Sequence, residues 1–233
     1  MRIDVLAFSP HPDDAEAGCG AFLLKMKKFG YRTGIVYMTN GDMGAGTPEQ
    51  RVQEAREAGK LLQLDHQEFL DLGDCRLEDT HEVRVLVAGL LRRFRPRLVL
   101  VPYWNLPPGR GVGHRDHLMT SRIVVHAANF AHLPKYPAAG EPYAADNIWY
   151  YMLGTAVMPT VLVPVDEEFP VALEAFRRHR SQVAREGGVL PELLEVSARR
   201  WGFLAGCRYA QPFLPRGPLR LEDPLRAAGV PYG

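Results

Sequence analysis

The sequence predicts an α/β fold: a Rossmann-like, mostly parallel sheet with helices on both faces. Two observations predict it. Short apolar runs alternate with longer amphipathic segments through the first half of the chain. The apolar runs are strand-sized and rich in valine, leucine and isoleucine, as strands buried on both faces should be. The alternation itself is the mark of strand–helix–strand units, whose right-handed crossovers build a parallel sheet.

The elements follow in order. Val5–Phe8 is a buried strand bounded by Ser9-Pro10, and Ala15–Phe29 is a helix ending before Gly30, a suitable C-cap. Gly34–Thr39 is a second buried strand. Pro48–Leu64 is a helix with proline in its first turn and Ala55, Ala58, Leu61 and Leu62 on one face. Glu68–Leu72 is a weaker strand, and His81–Phe94 is a helix that Pro96 stops. Leu98–Pro102 is the clearest strand. A Gly/Pro-rich loop, Trp104–Gly113, leads to a helix over Arg115–Phe130. The second half is less regular, with strands at Ile148–Leu153 and Thr160–Val165 and helices at Phe169–Val183 and Pro191–Leu204. From about Pro212 a proline-rich tail is expected to wrap the surface. No repeat or low-complexity linker divides the chain, so residues 1–233 read as one domain.

The composition excludes several classes. The chain has 233 residues, 46% hydrophobic and 24% charged, enough for a sizeable core without staples. Net charge is +1 with the signs mixed, and no long basic block invites nucleic acid. Lys25, Lys27 and Lys28 read as a solvated helix face. Cys19, Cys75 and Cys207 are odd in number and widely spaced, which argues against disulfides or a thiolate zinc site and for buried free thiols. Cys19 lies among Gly18, Gly20 and Ala21, a pattern of close helix packing. Met1-Arg2-Ile3-Asp4 runs directly into a strand without a leader pattern, and no apolar run has membrane-spanning length. A soluble cytoplasmic protein with no membrane or nucleic-acid partner is expected.

The chemistry lies at two strand ends. No G-x-G-x-x-G follows the first strand and no G-x-x-x-x-G-K-[ST] occurs, so dinucleotide and Walker-type phosphate binding lose their main support. Instead His11, Asp13 and Asp14 follow the first strand, and His114, Asp116 and His117 follow the one ending at Pro102. Open α/β sheets bind ligands at such ends. Histidine and aspartate are zinc ligands, and a catalytic zinc keeps three of them with one position open. His11 and Asp14 are three apart across a turn that Pro12 stiffens, so both can face one ion. His114 or His117 would be the third ligand. The two are three apart at a helix start, so the other would sit close enough to stabilise an oxyanion or protonate a leaving amine. Asp14 as a simple helix cap would leave His11 and Asp13 unexplained. His66, His81, His126, His132 and His179 have no comparable context and read as surface or core residues.

At these motifs the chain resembles the LmbE-like, or PIG-L, family of zinc deacetylases. That family places [AS]-HPDD after its first strand and H-x-D-H after a later one. Here these read Ser9-Pro10-His11-Pro12-Asp13-Asp14 and His114-Arg115-Asp116-His117. Thr39-Asn40-Gly41-Asp42 is similar to the family's T-x-G-[ED] segment, and Val101–Trp104, Arg180-Ser181-Gln182 and Tyr209-Ala210 extend the likeness. The resemblance implies His11, Asp14 and His117 as metal ligands and Asp13 as general base. It also implies His114 as the group that polarises the carbonyl or protonates the amine, and Asp116 as the carboxylate orienting that histidine. Arg51 and Asp42 match positions that contact the sugar in relatives. The ion implied is Zn(2+), with Fe(2+) able to replace it in cells.

Within the family the chain is most similar to the N-acetylglucosaminyl-malate deacetylases of bacillithiol synthesis. These are often hexameric, so a small amino-sugar substrate and a homo-oligomer, a hexamer, are implied. Two features depart from those relatives: the loop Asn105–Gly113 is longer, and Arg185–Leu194 lacks the tyrosine that some place over the site. A chitooligosaccharide or N-acetylglucosamine deacetylase is the alternative. Two rivals come from outside the class. A non-catalytic sugar- or nucleotide-binding module would tend to lose Asp13 or a ligand, and none is missing. A metal-dependent phosphoesterase usually needs two metals or a basic cluster.

Overall fold

The computed structural model describes residues 1–106, 113–154 and 157–220. Six residues of the Gly/Pro-rich loop, 107–112, and the last part of the tail, 221–233, lie outside the described residues. The strands are β1 (Val5–Ser9), β2 (Thr33–Tyr37), β3 (His66–Phe69), β4 (Leu98–Pro102), β5 (Ile148–Tyr151), β6 (Val161–Pro164) and β7 (Ala210–Pro215). They form one sheet in the order β3-β2-β1-β4-β5-β7-β6. β3, β2, β1, β4 and β5 run parallel, and β7 pairs antiparallel with both β5 and β6. Strand order reverses between β1 and β4, which makes the gap beyond their carboxyl ends the crevice where such sheets bind ligands.

Helices α1 (Asp14–Lys28), α2 (Pro48–Leu61), α3 (His81–Phe94) and α4 (Arg115–Ala131) carry the crossovers, followed by α5 (Phe169–Arg177), the short α6 (Arg180–Val183) and α7 (Leu190–Ala205). α3 and α4 pack together over one face of the sheet, and α1, α2 and α5 over the other. Every residue of β1, β2 and β4 is buried, which is why those strands read as unbroken apolar runs. Local chemistry sets the helix ends. Thr47 and Thr80 each accept a backbone N–H of the first turn, from Gln50 and Val83. Gly18 lets α1 approach the sheet: a Cβ there would sit 2.4 Å from Tyr151 Cδ2. Cys19 is fully buried in this contact, as its small-residue surroundings predict. Among the described residues no helix is long and apolar enough to cross a membrane.

Three expectations need correction. β3 starts at His66, two residues before the expected Glu68, because a half-buried edge strand lacks the apolar run that marks the others. The expected helix Phe169–Val183 breaks at His179, whose φ of −75° and ψ of 58° separate α5 from α6. The chain from Pro212 does not begin by wrapping the surface. Pro212 to Pro215 belong to β7, inside the sheet, with Phe213 fully buried between Phe22 and Trp149. Proline content marks a loop locally, and pairing with two distant strands overrides it.

Candidate active site

The turn after β1 is built by its own side chains. Ser9 Oγ donates to the His11 carbonyl (2.7 Å) and accepts the Ala15 N–H (3.0 Å), closing the chain tightly on itself. Thr39 Oγ1 donates to the Pro10 carbonyl (2.9 Å) from the end of β2. Asp13 pays for this compactness with a φ of 130°, a region that non-glycine residues rarely enter. Arg51 holds the strained turn from α2. Its buried guanidinium donates from Nη1 to the Gly41 carbonyl (2.8 Å) and from Nη2 to the Pro12 carbonyl (2.7 Å), and lies 3.4 Å from Asp13 Oδ1. Gly41, with φ +68°, leaves room for it: a Cβ there would overlap Arg51 Nη1.

α4 brings the second motif to the same point. His11 Nδ1 is 2.9 Å from Asp14 Oδ2, and His117 Nε2 is 3.2 Å from that same oxygen. Tetrahedral zinc with bonds of 2.0–2.1 Å has ligand-to-ligand edges of about 3.3 Å, so this set fits one ion. On the other side of His11, Nε2 meets Asp74 Oδ1 at 3.1 Å and Asp116 Oδ2 at 3.4 Å. Carboxylates behind a ligating imidazole orient it and raise its basicity. The electrostatics ask for a cation. Burial alone would lower the His11 imidazole, yet bonding to Asp116, Asp14 and Asp74 outweighs burial and holds it well above its usual range. Asp14 is buried too, but the neighbouring His117 and His11 keep its carboxyl well below the usual carboxylate range.

The groups beside the triad differ from it. Burial, then the Asp14 carboxylate, push Asp13 up to about 6, against the pull of Arg51, His179 and His11. Burial and the His11 charge lower His114. Its ring centroid is 5.1 Å from that of His11 and 6.1 Å from that of His117, with Nδ1 accepting the Asp116 N–H at 3.3 Å.

The structure thus gathers His11, Asp13, Asp14, His114, Asp116 and His117 at one crevice. It gives three candidates a different setting from the one the resemblance implies. The Asp116 carboxylate accepts the Cys75 N–H (2.7 Å) and faces His11, so it does not hydrogen-bond the His114 ring, which stands over Cys75 instead. Arg51 lies beneath Asp13, with two nitrogens committed to backbone carbonyls. Asp42 accepts the Asp74 N–H (3.3 Å) and faces solvent near Arg76.

Sequence reasoning missed Asp74, Cys75 and His179. Asp74-Cys75 follows β3, a third strand end on the same side of the sheet, and that placement was the available signal. Cys75 is exposed, contrary to the buried thiol expected. His179 is fully buried, with Nε2 3.3 Å from Glu16 Oε1, while Tyr37 Oη donates to that oxygen at 2.6 Å. Nothing in the local sequence marks it, because its partners come from α1 and β2. Beside His114 lies a cavity of ≈ 370 Å³ lined by Tyr103, Trp104, Leu106, Leu118 and Met119.

Two imidazoles and a carboxylate able to hold one ion, with a raised carboxylate and a third imidazole alongside, define a metal-dependent hydrolase centre. The family is equally plain. Residues 6–128 match the profile described as PIG-L, GlcNAc-PI de-N-acetylase, and the chain belongs to that family of metal-dependent deacetylases. It is 30% identical over 221 residues to the diacetylchitobiose deacetylase of Thermococcus kodakarensis, covering 89% of this chain and 80% of that one. It is 26% identical over 212 residues to a probable N-acetyl-alpha-D-glucosaminyl L-malate deacetylase of Bacillus subtilis, covering 84% and 89%. The crystal structure of a conserved protein of Thermus thermophilus superposes with a TM-score of 0.86 at 37% identity, covering 95% of this chain and 98% of that one.

Proposed function

We propose that this enzyme hydrolyses the N-acetyl group of an N-acetylglucosaminyl substrate, releasing acetate and a free amino sugar. The observation that carries the reading is the convergence of His11 Nδ1, Asp14 Oδ2 and His117 Nε2, with Asp13 next in the chain and the His114 ring alongside. The donor set of two imidazoles and one carboxylate suits zinc, and iron(II) accepts the same three ligands. When bound, the ion would supply Lewis acidity to the amide carbonyl and to water.

The chain's own residues do the rest. Asp13 takes the proton of the attacking water. Its raised pKa of about 6 makes it a stronger base than an ordinary carboxylate, close to what neutral operation needs. Arg51 and the Pro12 turn fix its direction. The His114 ring lies 5.1 Å from that of His11 and 6.1 Å from that of His117, close enough to donate to the carbonyl oxygen or to the departing nitrogen. Metal analysis of protein purified with and without air distinguishes zinc from iron(II).

The substrate beyond its N-acetylglucosaminyl part has two readings. N-acetylglucosaminyl-malate, which the sequence resemblance implies, carries carboxylates that call for a cationic neighbour. The cavity beside His114 favours a second sugar instead. Most of its described walls are aromatic or aliphatic, with Trp104 46% exposed; His114 and Arg115 are its polar side chains, and Arg115 is turned to donate from Nη1 to the Leu77 carbonyl. An aromatic wall of this kind suits the apolar face of a neighbouring ring. The likeness to a diacetylchitobiose deacetylase supports the same reading. Acetate release from diacetylchitobiose, N-acetylglucosamine and N-acetylglucosaminyl-malate decides. The expected order of kcat/KM puts diacetylchitobiose first; a preference for the malate compound overturns the second-sugar reading, and no release from any of them overturns the deacetylase reading.

A further inference from the structure

Beside the triad lies a second group of ligand-type atoms that the proposed reaction does not use. Asp74, Cys75 and Asp116 each offer an atom within 4.8 Å of the others. Cys75 Sγ is 3.5 Å from Asp74 Oδ1 and 3.7 Å from His114 Nε2. A zinc ion bonded to sulfur at about 2.3 Å and to nitrogen or oxygen at 2.0–2.1 Å has tetrahedral edges of about 3.6 Å. Both spacings are therefore those of neighbouring ligands on one ion. The loop is fixed there by the Cys75 N–H, which donates to Asp116 Oδ2 at 2.7 Å.

An independent observation points to a missing partner. Asp116 is fully buried, and its Oδ1 has no hydrogen-bond donor among the described residues. A buried carboxylate oxygen without a donor is costly, and a cation satisfies it. The charge count agrees: Asp14, Asp74 and Asp116 all converge on His11, and an ion in the triad engages only Asp14 directly.

We propose that Asp74, Cys75, Asp116 and His114 form a second, weaker site for a thiophilic divalent cation such as zinc. Filling it deprotonates the Cys75 thiol, whose proton leaves to solvent, and forms a sulfur–metal bond. The ion also takes His114 Nε2, whose proton leaves as Nδ1 is protonated in its place and gives up the Asp116 N–H, so the second ion inhibits the enzyme. The binding part stands on geometry alone, while the inhibition rests on the role given to His114 above. A purely orienting role for Asp74 and Asp116 behind His11 is the competing account.

The test uses zinc and cobalt(II) on the full chain. By equilibrium dialysis, wild-type protein should take up a second equivalent of zinc that Cys75→Ser does not. With cobalt(II), the second equivalent should bring a sulfur-to-metal charge-transfer band in the near ultraviolet, absent from Cys75→Ser. Acetate release should fall as zinc exceeds one equivalent, and Cys75→Ser should need at least about tenfold more zinc for the same inhibition. Cys75→Ala repeats each measurement should the serine variant melt abnormally. One equivalent only, or a second that Cys75→Ser binds equally well and without a sulfur band, overturns the site. Equal inhibition of wild type and both variants overturns its inhibitory role. Neither metal measurement involves substrate, so they read this site even where the deacetylation assay fails.

Discussion

The two halves of the sheet do different work for the same site. Among the described residues, β1 to β4 with α1 to α4 supply every candidate metal ligand, the base and the acid, on the turns and first helical residues that follow carboxyl ends of parallel strands. β5 to β7, with α5 to α7, supply no group among the described residues that faces the proposed ion. They brace the first half from behind. Tyr151 Oη donates to the Phe8 carbonyl at 2.8 Å, Gln211 Oε1 accepts the Phe22 N–H at 2.7 Å, and His179 sits against Glu16. The family profile itself ends at residue 128, within α4. The contrast teaches that reactive atoms can be set by local turns while their precision is imported from distant chain.

The comparison breaks first at the base. Asp13→Ala should lower kcat by roughly 10²–10⁴-fold while metal content stays at wild type, whereas His117→Ala should lose the ion itself. Acetate release alongside metal analysis separates the two. Asp13→Ala with full turnover would remove the chemistry from the first half altogether.

Next comes the brace. Phe213→Ala removes a ring packed 4.8 Å from Phe22 and 5.8 Å from Trp149, and should cost about 3–5 kcal/mol in urea unfolding. A tail that only wrapped the surface would lose within about 0.5 kcal/mol. The residual folded variant should keep KM, because β7 stands behind the site and not in the crevice.

Arg51 sharpens the boundary between positioning and binding. Its donors hold Pro12 and Gly41, so Arg51→Lys, which keeps charge but loses the fork, should lower kcat by about 10²-fold with KM little changed. A raised KM with intact kcat would return Arg51 to the sugar-contacting role that its sequence position implies.

These cases also show what the sequence could tell. β1, β2 and β4 are buried on both faces, so burial and apolar composition coincide, and their loops could be placed before the structure was known. His11 and Asp14 were legible for the same reason, since they lie within four residues at one strand end; the spacing left the third ligand open between His114 and His117, and only the family resemblance chose His117. β7, Asp74 and His179 were not. β7 is a strand because β5 and β6 flank it, Asp74 reaches His11 across 63 positions, and the proline or loop content around each points the other way. Residues whose role is set by a partner far along the chain carry no local period to read.

His179 gives the smallest and most selective test of the brace. Burial alone would lower its imidazole, but the charges of Glu16 and Asp13 outweigh burial and raise it above its ordinary 6.5. A group whose pKa rises on folding binds its proton more tightly in the folded state, so unfolding releases it. The stability His179 contributes is therefore complete below about 6.5, the unfolded value, and is lost as pH rises through the folded one. Urea unfolding of wild type and His179→Gln across that range should show a gap that narrows with increasing pH. A gap that widened would mean that His179 is buried neutral, and that the second half supports Glu16 by shape and not by charge.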